Sequence, residues 1–480
     1  MSELRKKSIE AFLWDFAGNI GMQLIAFIIS IILTRLLEPE QFGLLGMVMV
    51  FAAVAQVFMH MGFGSALVQK QSVSPTTYSS VFWLNLGIGI VISLVVFLLA
   101  PVIAKFYNEP QLEGITKLLS TVFFISSIGN IQRIIYTKRL DFKTQSIISL
   151  FTAIVSGAIA VYLSFEGYGV HALIFQKIIA AVLTVISFWY LSSWRPTFAF
   201  KLDDIKSIWG YSSKEFLDRI LSTVYQKLDV LVIGKLFTPA ILGFYTRAFS
   251  LNTMVGKFTT TSLNKVFFPL ISSIHQDKEK VRAVYLKIIS LVGFLAIGIS
   301  ALLFVIADDL FVILFTDKWN QSIIYFKLLV VTTFAYPLSS IMLGLISGLG
   351  HPGTVLRAGI YKKVIGVIPI LVGVLYGIEA FLYTRIFSSL VGFYINLVYV
   401  KKVAAISVKD QVNCFVLPLV IGLLVSLLIV YFSAIDSRIM SLIFNTFSFG
   451  LLFSVIVLQA DKKLKEILHF EISRIKVRNK

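Results

Sequence analysis

The chain has 480 residues, of which 57% are hydrophobic and only 14% are charged. That balance excludes an ordinary soluble globular protein. The formal net charge of +18 needs no nucleic-acid partner, because a basic DNA-binding patch requires a soluble domain and the apolar pattern leaves none. The single cysteine, Cys414, excludes an intrachain disulfide, and the five histidines lack metal-binding spacing, so we predict no metal site.

Apolar segments of about membrane-spanning length follow one another along the chain, and they predict an all-α integral membrane protein. We predict about fourteen transmembrane helices, which in chain order cover residues 12–36, 41–61, 79–104, 113–136, 145–165, 169–191, 210–236, 241–263, 284–307, 322–348, 356–376, 378–400, 412–433 and 437–459. The turns on one side of the membrane are short and contain Pro, Gly, Asn or acidic residues. The segments on the other side are basic.

The basic segments indicate which side of the membrane is cytoplasmic. Most of the 43 Lys and Arg residues lie in them, including those of residues 133–143 and of the tail after Asp461. Cytoplasmic loops of membrane proteins carry an excess of Lys and Arg. We therefore predict that both termini are cytoplasmic, which an even number of helices requires.

The first six helices and the next six share a plan. The pattern basic-Leu-apolar-x-Pro-x-x-apolar-Gly occurs at residues 35–43 and again at residues 235–243. A second pair of matching turns begins at Gly169 and at Gly377. Two related halves inside a membrane are typical of transporters whose lobes rock about a central site. We predict a six-helix lobe, a cytoplasmic linker, a second six-helix lobe, two additional helices and a basic tail, at residues 1–192, 193–209, 210–402, 403–460 and 461–480.

Several charged side chains fall inside the predicted helices, where contact with lipid would cost several kcal/mol. Lys177 and Arg385 occupy equivalent positions in the two repeats, about 12 Å into their helices. Helix seven carries charges at helical spacing on one face and apolar residues on the other. These cations predict a substrate-binding cavity for an anion, formed by Lys177, Arg219, Lys227, Arg247, Lys257 and Arg385.

Three acidic residues are candidates for coupling transport to an ion: Asp15, Glu215 and Asp218. A carboxyl group in a low dielectric can titrate near neutral pH, and Asp15 and Glu215 hold equivalent places in the two repeats. A purely structural interpretation remains open, because Glu215 and Arg219 are spaced to neutralise each other. Lys177 and Arg385 are long enough to extend their charges toward the membrane surface.

Two segments carry a resemblance to a known family: Arg35-Leu36-Leu37-x-Pro39-x-x-Phe42-Gly43 and Met61-Gly62-Phe63-Gly64-Ser65-Ala66-Leu67-Val68. They resemble the Wzx/TuaB-type polysaccharide-export flippases, in the superfamily that also contains multidrug antiporters and peptidoglycan-lipid flippases. The resemblance implies transport of an undecaprenyl-diphosphate-linked oligosaccharide across the bacterial inner membrane by alternating access. The exported product would be an O-antigen of lipopolysaccharide or another exopolysaccharide.

The same resemblance indicates the partners. They are the lipid-linked oligosaccharide and membrane lipid, with a polysaccharide polymerase or assembly complex as a further candidate. Coupling to H⁺ or Na⁺ is compatible with the sequence, and no other cofactor is expected. The oligomeric state stays open, and a monomer is compatible with the sequence.

Alternatives remain within and outside the superfamily. A cation-coupled multidrug antiporter would require an acidic cavity to bind organic cations, whereas the charges here favour an anionic substrate. A peptidoglycan-lipid flippase would share the cationic requirement. A membrane polysaccharide polymerase usually carries a long external catalytic loop, whereas the longest external candidate here is residues 307–321. A non-transporting scaffold would have no need of matched charges in both repeats.

The predicted orientation can be tested by labelling single cysteines from outside intact cells, in a background where Cys414 is replaced by Ser. We expect a cysteine at Lys138 to be protected and a cysteine at Glu38 or Glu166 to react, because only the short acidic turns face outward. The opposite pattern would invert the topology.

Overall fold

The structure is a computed structural model that describes residues 2–432, 435, 437–461 and 464–468. Within these ranges it describes the backbone but not the side chains of residues 2–9, 60, 207–209, 211, 214–215 and 257–266. The regular elements of the described residues are all helices.

The first nine helices are α1 (Ser2–Leu36), α2 (Pro39–His60), α3 (Phe63–Gln69), α4 (Pro75–Tyr107), α5 (Gln111–Lys138), α6 (Phe142–Phe165), α7 (Val170–Leu191), α8 (Leu202–Leu236) and α9 (Pro239–Ile274). The others are α10 (Lys278–Val305), α11 (Ala307–Phe315), α12 (Asn320–Val330), α13 (Ala335–Gly348), α14 (Pro352–Ile365), α15 (Ile368–Tyr376), α16 (Ile378–Ala404), α17 (Val408–Asn413), α18 (Val416–Phe432) and α19 (Arg438–Ala460). A short 3₁₀ turn, Asp317–Trp319, precedes α12.

The predicted membrane segments all fall on helices. Eleven helical stretches among the described residues are long and apolar enough to cross a membrane, and the shorter α18 is also apolar. Several segments predicted as single helices are interrupted: residues 322–348 divide into α12 and α13, residues 356–376 divide into α14 and α15, and residues 412–433 contain the end of α17 and the whole of α18, with residue 433 outside the described residues. Pro369 lies directly after the second interruption, where its missing N–H and its ring disfavour a continuous helix. The all-α membrane fold is confirmed, whereas the count of fourteen spans stays a prediction.

By packing, the chain divides into two units, Met1–Gly243 and Phe244–Lys480. This division differs from the lobes drawn from the repeat, which placed α8 at the start of the second lobe. In the structure α8 packs against α2, α3 and α4, so it belongs to the first packing unit. The lobe boundaries rest on sequence symmetry rather than on packing, and they stay a prediction.

The first unit is held together by extensive helix pairs. α4 lies along α5, α1 lies along α6, and α7 contacts both α5 and α6. Small residues permit the close approach of α1 and α6, since Gly18 faces Ser146 and Gly157 faces Ile29. A buried apolar cluster that includes Phe63, Leu67, Val81, Phe82 and Ile131 joins residues of α3, α4 and α5.

The second unit is built around α10, which contacts α12, α13, α18 and α19. A buried polar residue connects this core to α16 and α17. The amide of Gln411 donates to the carbonyl oxygens of Leu397 and Ile406 and accepts a 2.8 Å hydrogen bond from the hydroxyl of Tyr285. Because these groups are buried, each hydrogen bond removes an otherwise costly unsatisfied polar atom.

The repeated Pro-x-x-apolar-Gly turns meet each other within the first unit. Each opens a helix, with Pro39 at the start of α2 and Pro239 at the start of α9. A Cβ atom added to Gly43 would lie 1.7 Å from the carbonyl oxygen of Pro239, and one added to Gly243 would lie 1.9 Å from that of Pro39. The contact is reciprocal. Glycine is required at both positions because any side chain would overlap the opposite backbone.

The second pair of matching turns also has a common backbone conformation. Gly169 precedes α7 with a φ of 55°, and Gly377 precedes α16 with a φ of 92°. Both angles lie in the left-handed half of φ space, where residues with a Cβ are strained. The sequence repeat is therefore a repeat of backbone geometry.

Substituting either crossing glycine should destabilise the protein. We expect Gly43→Ala and Gly243→Ala each to lower the free energy of unfolding by about 1–3 kcal/mol or more, because the added methyl forces two backbones apart. Gly114→Ala in α5 is the matched control, since a Cβ there meets nothing within 4 Å. Thermal unfolding in detergent measures the effect. Equal melting temperatures for all three variants would contradict the close crossing.

Candidate functional site

In the first unit, Lys177 is a cation inside a membrane helix with an exposed side chain. It lies about 10 Å along α7 from Val170. The residues before it, Ala172, Leu173 and Ile174, are buried and fix that turn of the helix against its neighbours. Among the described residues no hydrogen bond or ion pair engages the Lys177 ammonium. An unneutralised ammonium at this depth requires water or an anionic ligand.

The charges of α8, also in the first unit, differ in exposure. Asp218 and Arg219 are exposed and Lys227 is half-buried. Asp229 is buried, and its carboxylate accepts a 3.1 Å hydrogen bond from the N–H of Val230. The side chain of Glu215 lies outside the described residues, so its predicted pairing with Arg219 stays a prediction.

Asp15, the other predicted ion-coupling residue, is a half-buried carboxylate on α1. It accepts a 3.0 Å hydrogen bond from the amide of Asn19, one turn further along the helix. No cluster of three or more His, Cys, Asp or Glu side chains suited to a metal ion occurs among the described residues. The roles assigned to Asp15, Glu215 and Asp218 stay predictions.

In the second unit, Arg247 is buried rather than open to a cavity. Only 8% of its surface is exposed. Its guanidinium lies 5.5 Å from the ring centre of Phe315 and 5.6 Å from that of Trp319. Both rings belong to the segment between α10 and α12 and are themselves fully buried. The predicted binding role of Arg247 is untested, and in this structure aromatic rings take the place of a ligand.

Arg385 is half-buried among a different set of rings. Its guanidinium lies 5.2 Å from the ring centre of Phe249 and 5.7 Å from that of Phe381. Tyr245 stacks on Phe249 and meets Phe381 edge to face. On α9, Tyr245 and Phe249 are one turn apart on one side, and Arg247 lies about 200° around the helix from them. Arg247 therefore projects from one face of α9, whereas Arg385 of α16 packs against the opposite face. The structure does not bring the two arginines together. The side chain of Lys257 lies outside the described residues.

The predicted site residues do not include Lys362, although it lies in a helical stretch that is long and apolar enough to cross a membrane. It lies in α14, about 21 Å from the C-terminal end of α15, and donates a 3.1 Å hydrogen bond to the amide oxygen of Asn396. The amide nitrogen of Asn396 donates to the hydroxyl of Ser339 at 2.9 Å. Gly392 leaves room for the alkyl chain of Lys362. The available signal was Asn396, a polar amide in the second half of the predicted membrane helix at residues 378–400.

The amino-acid sequence is similar to that of known proteins. A family model described as "Polysaccharide biosynthesis protein" matches residues 32–324. The chain belongs to this family. It is 26% identical to the lipopolysaccharide biosynthesis protein WzxC of Escherichia coli K12, over 74% of this chain and 70% of WzxC. It is 25% identical to the teichuronic acid biosynthesis protein TuaB of Bacillus subtilis 168, over 62% of this chain and 64% of TuaB.

The fold has a solved counterpart. The lipid II flippase MurJ, in an inward closed conformation, superposes with a TM-score of 0.74 at 13% identity, over 94% of this chain and 99% of MurJ. At that identity the likeness concerns the fold alone. The predicted resemblance to polysaccharide-export flippases is confirmed, as is the prediction of a multi-pass membrane transporter.

Arg247 is buried against aromatic rings and Lys177 is exposed, so we expect their replacement by alanine to affect the stability of the protein differently. Arg247→Ala should lower the melting temperature, because a desolvated cation–π contact contributes about 2 kcal/mol and truncation leaves a void. Lys177→Ala should leave the melting temperature unchanged, because its ammonium contacts no partner among the described residues. Thermal unfolding of both variants in the same detergent gives the comparison. A stable Arg247→Ala variant would show that the buried contact is dispensable.

Proposed function

We propose that this protein flips an undecaprenyl-diphosphate-linked oligosaccharide from the cytoplasmic to the outer face of the bacterial inner membrane, for export of a surface polysaccharide. The observation that carries the proposal is the exposed Lys177 within a membrane helix of a chain of this family. An ammonium at that depth suits a substrate with an anionic headgroup, which replaces the water that the cation would otherwise need.

The substrate has three chemically distinct parts. The diphosphate is matched by cations, among which Lys177, Arg219 and Lys227 are exposed or half-buried. The sugars need hydroxyl and amide partners. The prenyl chain can remain in an apolar environment while the polar headgroup crosses. WzxC and TuaB are named for the biosynthesis of lipopolysaccharide and teichuronic acid, both surface polysaccharides, which supports this substrate class.

The same proposal includes orientation, energy and partners. Both termini are cytoplasmic, since the basic segments gather on that side. Transport alternates between inward- and outward-open states and draws on H⁺ or Na⁺ through Asp15, Glu215 or Asp218. A polysaccharide polymerase or assembly complex receives the product on the outer face.

A peptidoglycan-lipid flippase is the second candidate, because the fold matches that of the lipid II flippase MurJ. Both candidates share a prenyl-linked anionic headgroup and differ in the sugar. The family match over residues 32–324 favours a polysaccharide repeat unit. A multidrug antiporter for organic cations is disfavoured, because an exposed ammonium repels a cationic drug.

Reconstitution in liposomes tests the proposal. A fluorescent undecaprenyl-diphosphate oligosaccharide is placed in one leaflet, and its appearance in the other is followed with a membrane-impermeant quencher. We expect Lys177→Ala to slow flipping about tenfold or more, because a hydrogen bond to a charged group contributes about 1.5–3 kcal/mol. Lys278→Ala, which removes an exposed cation at the start of α10, should retain the wild-type rate.

Two results would contradict the proposal. If the wild-type protein moves no lipid-linked oligosaccharide, the substrate class is wrong. If Lys177→Ala and Lys278→Ala both flip at the wild-type rate, the exposed intramembrane cation is not part of the substrate path. Replacing the oligosaccharide by lipid II in the same assay separates the first candidate from the second.

A further inference from the structure

An apolar groove in the first unit runs beside α4, between the end of α2 and the linker that precedes α8. Its volume is about 440 Å³. Its lining residues are all apolar or aromatic and include Phe58, Met61, Trp83, Gly87, Val91 and Phe200. From Trp83 to the far end at Ile92 the groove follows α4 for about 14 Å. The groove can therefore accept several units of a single extended hydrocarbon chain.

The linker that forms one wall is tied down along its length. The indole N–H of Trp83 donates a 2.8 Å hydrogen bond to the carbonyl oxygen of Thr197, whose own N–H donates to the hydroxyl of Ser79 at 3.1 Å. Further along, the N–H of Lys201 donates to the hydroxyl of Ser80 at 2.9 Å. Phe198 stacks on Trp83 with ring centres 5.4 Å apart. These bonds fix the linker against α4, so the groove is a defined feature of the fold.

Gly87 leaves the floor of the groove open. A Cβ atom added there would meet nothing within 4 Å, although the position lies in the middle of α4. Glycine in a helix interior costs about 0.5–1 kcal/mol relative to alanine, so helix stability does not explain it. Val91, one turn further along, is 58% exposed. The position of Gly87 is open because the groove passes over it.

The two ends of the groove differ in charge. At the linker end, the side chain of Lys201 is exposed directly after the lining residue Phe200, and Arg195 is exposed on the same linker. The guanidinium of Arg195 is oriented by a 2.8 Å hydrogen bond to the carbonyl oxygen of Trp189. The other end, at Ile92, lies within the apolar middle of α4. Asp203 and Asp204 follow in the first turn of α8, where Lys206 lies 3.8 Å from Asp203. The two cations on either side of Phe200, together with the hydrocarbon along the rest of the groove, complement an anionic headgroup that carries one long apolar chain.

We propose that this groove binds the polyprenyl chain of the lipid-linked substrate, with the phosphate-bearing end toward Lys201. The inference rests on the proposed function, because that function supplies a prenyl chain. The groove holds the tail in the leaflet where the linker lies and brings the headgroup to the cationic linker before the sugar crosses. A phospholipid acyl chain is the competing occupant, and the experiment distinguishes the two.

The test uses the full-length protein in nanodiscs and two photoreactive probes. One is a polyprenyl diphosphate with a diazirine in one of the first few isoprene units after the diphosphate, and the other is phosphatidylglycerol with the same group at a matching distance from its phosphate along an acyl chain. After irradiation, adducts are mapped by peptide mass spectrometry. We expect the prenyl probe to label residues 83–92, and unlabelled undecaprenyl phosphate, but not excess phosphatidylglycerol, to compete.

Gly87→Leu fills the groove from its floor and supplies the matched variant. We expect it to reduce prenyl labelling of residues 83–92 about tenfold, since displacing roughly two methylene groups from an apolar site has that effect on binding. The rate of oligosaccharide flipping should fall with it. Gly114→Leu in α5, where an added Cβ also meets nothing within 4 Å, should label and flip like the wild type. If Gly87→Leu lowers the yield of folded protein, Val91→Trp narrows the groove from a position that is already exposed.

The groove proposal is overturned if the phosphatidylglycerol probe labels residues 83–92 as strongly as the prenyl probe does. It is also overturned if Gly87→Leu and Val91→Trp both flip at the wild-type rate. Either result can occur while the wild-type protein still flips the lipid-linked oligosaccharide, in which case the proposed function stands and the chain binds elsewhere. If the wild-type protein does not flip it at all, both proposals fall.

Discussion

The helix crossing at Gly43 and Gly243 constrains much of the first unit. Each glycine faces the backbone of the proline that opens the other helix, so the first turns of α2 and α9 are fixed at a distance that no side chain allows. The position of α2 in turn sets where α8 packs, because α8 lies along α2. The polar residues of α8 and the apolar groove at the end of α2 depend on that placement. The steric requirement at Gly43 and Gly243 therefore affects the positions of both the polar residues of α8 and the apolar groove.

The cations predicted to lie within the membrane have different surroundings in the structure. Lys177 is exposed, Arg247 is buried among rings, and Arg385 is half-buried in a second aromatic cluster. A cation that aromatic faces already stabilise gains less from a phosphate than one that is hydrated, because binding the phosphate must first disrupt those contacts. The exposed ammonium of Lys177 is thus more available to an anionic ligand than the guanidinium groups of Arg247 and Arg385, which already lie against aromatic rings.

Much of the fold was accessible from sequence because hydrophobic length and turn chemistry are local properties. The predicted helices, the repeat and the family resemblance all rest on such properties, and the helix positions and resemblance are confirmed. The interruption between α14 and α15 was missed, since hydropathy continues unbroken across Gly366 and Val367. The burial of Arg247 could not be predicted, because the rings that cover it lie about seventy residues away in the chain. The groove beside α4 depends on hydrogen bonds between distant segments, which periodicity does not reveal.

The turns that begin with Gly169 and Gly377 show that the two halves share backbone geometry but differ in side-chain chemistry. Both glycines have a positive φ, which few residues can adopt, while the residue eight positions further along is lysine in one half and arginine in the other, in unlike surroundings. Dihedral angles at a few positions thus preserve the architecture, and the chemistry of the intervening surfaces can drift. A transporter built in this way can acquire a new substrate by changing side chains between the turns, while its helix framework stays the same.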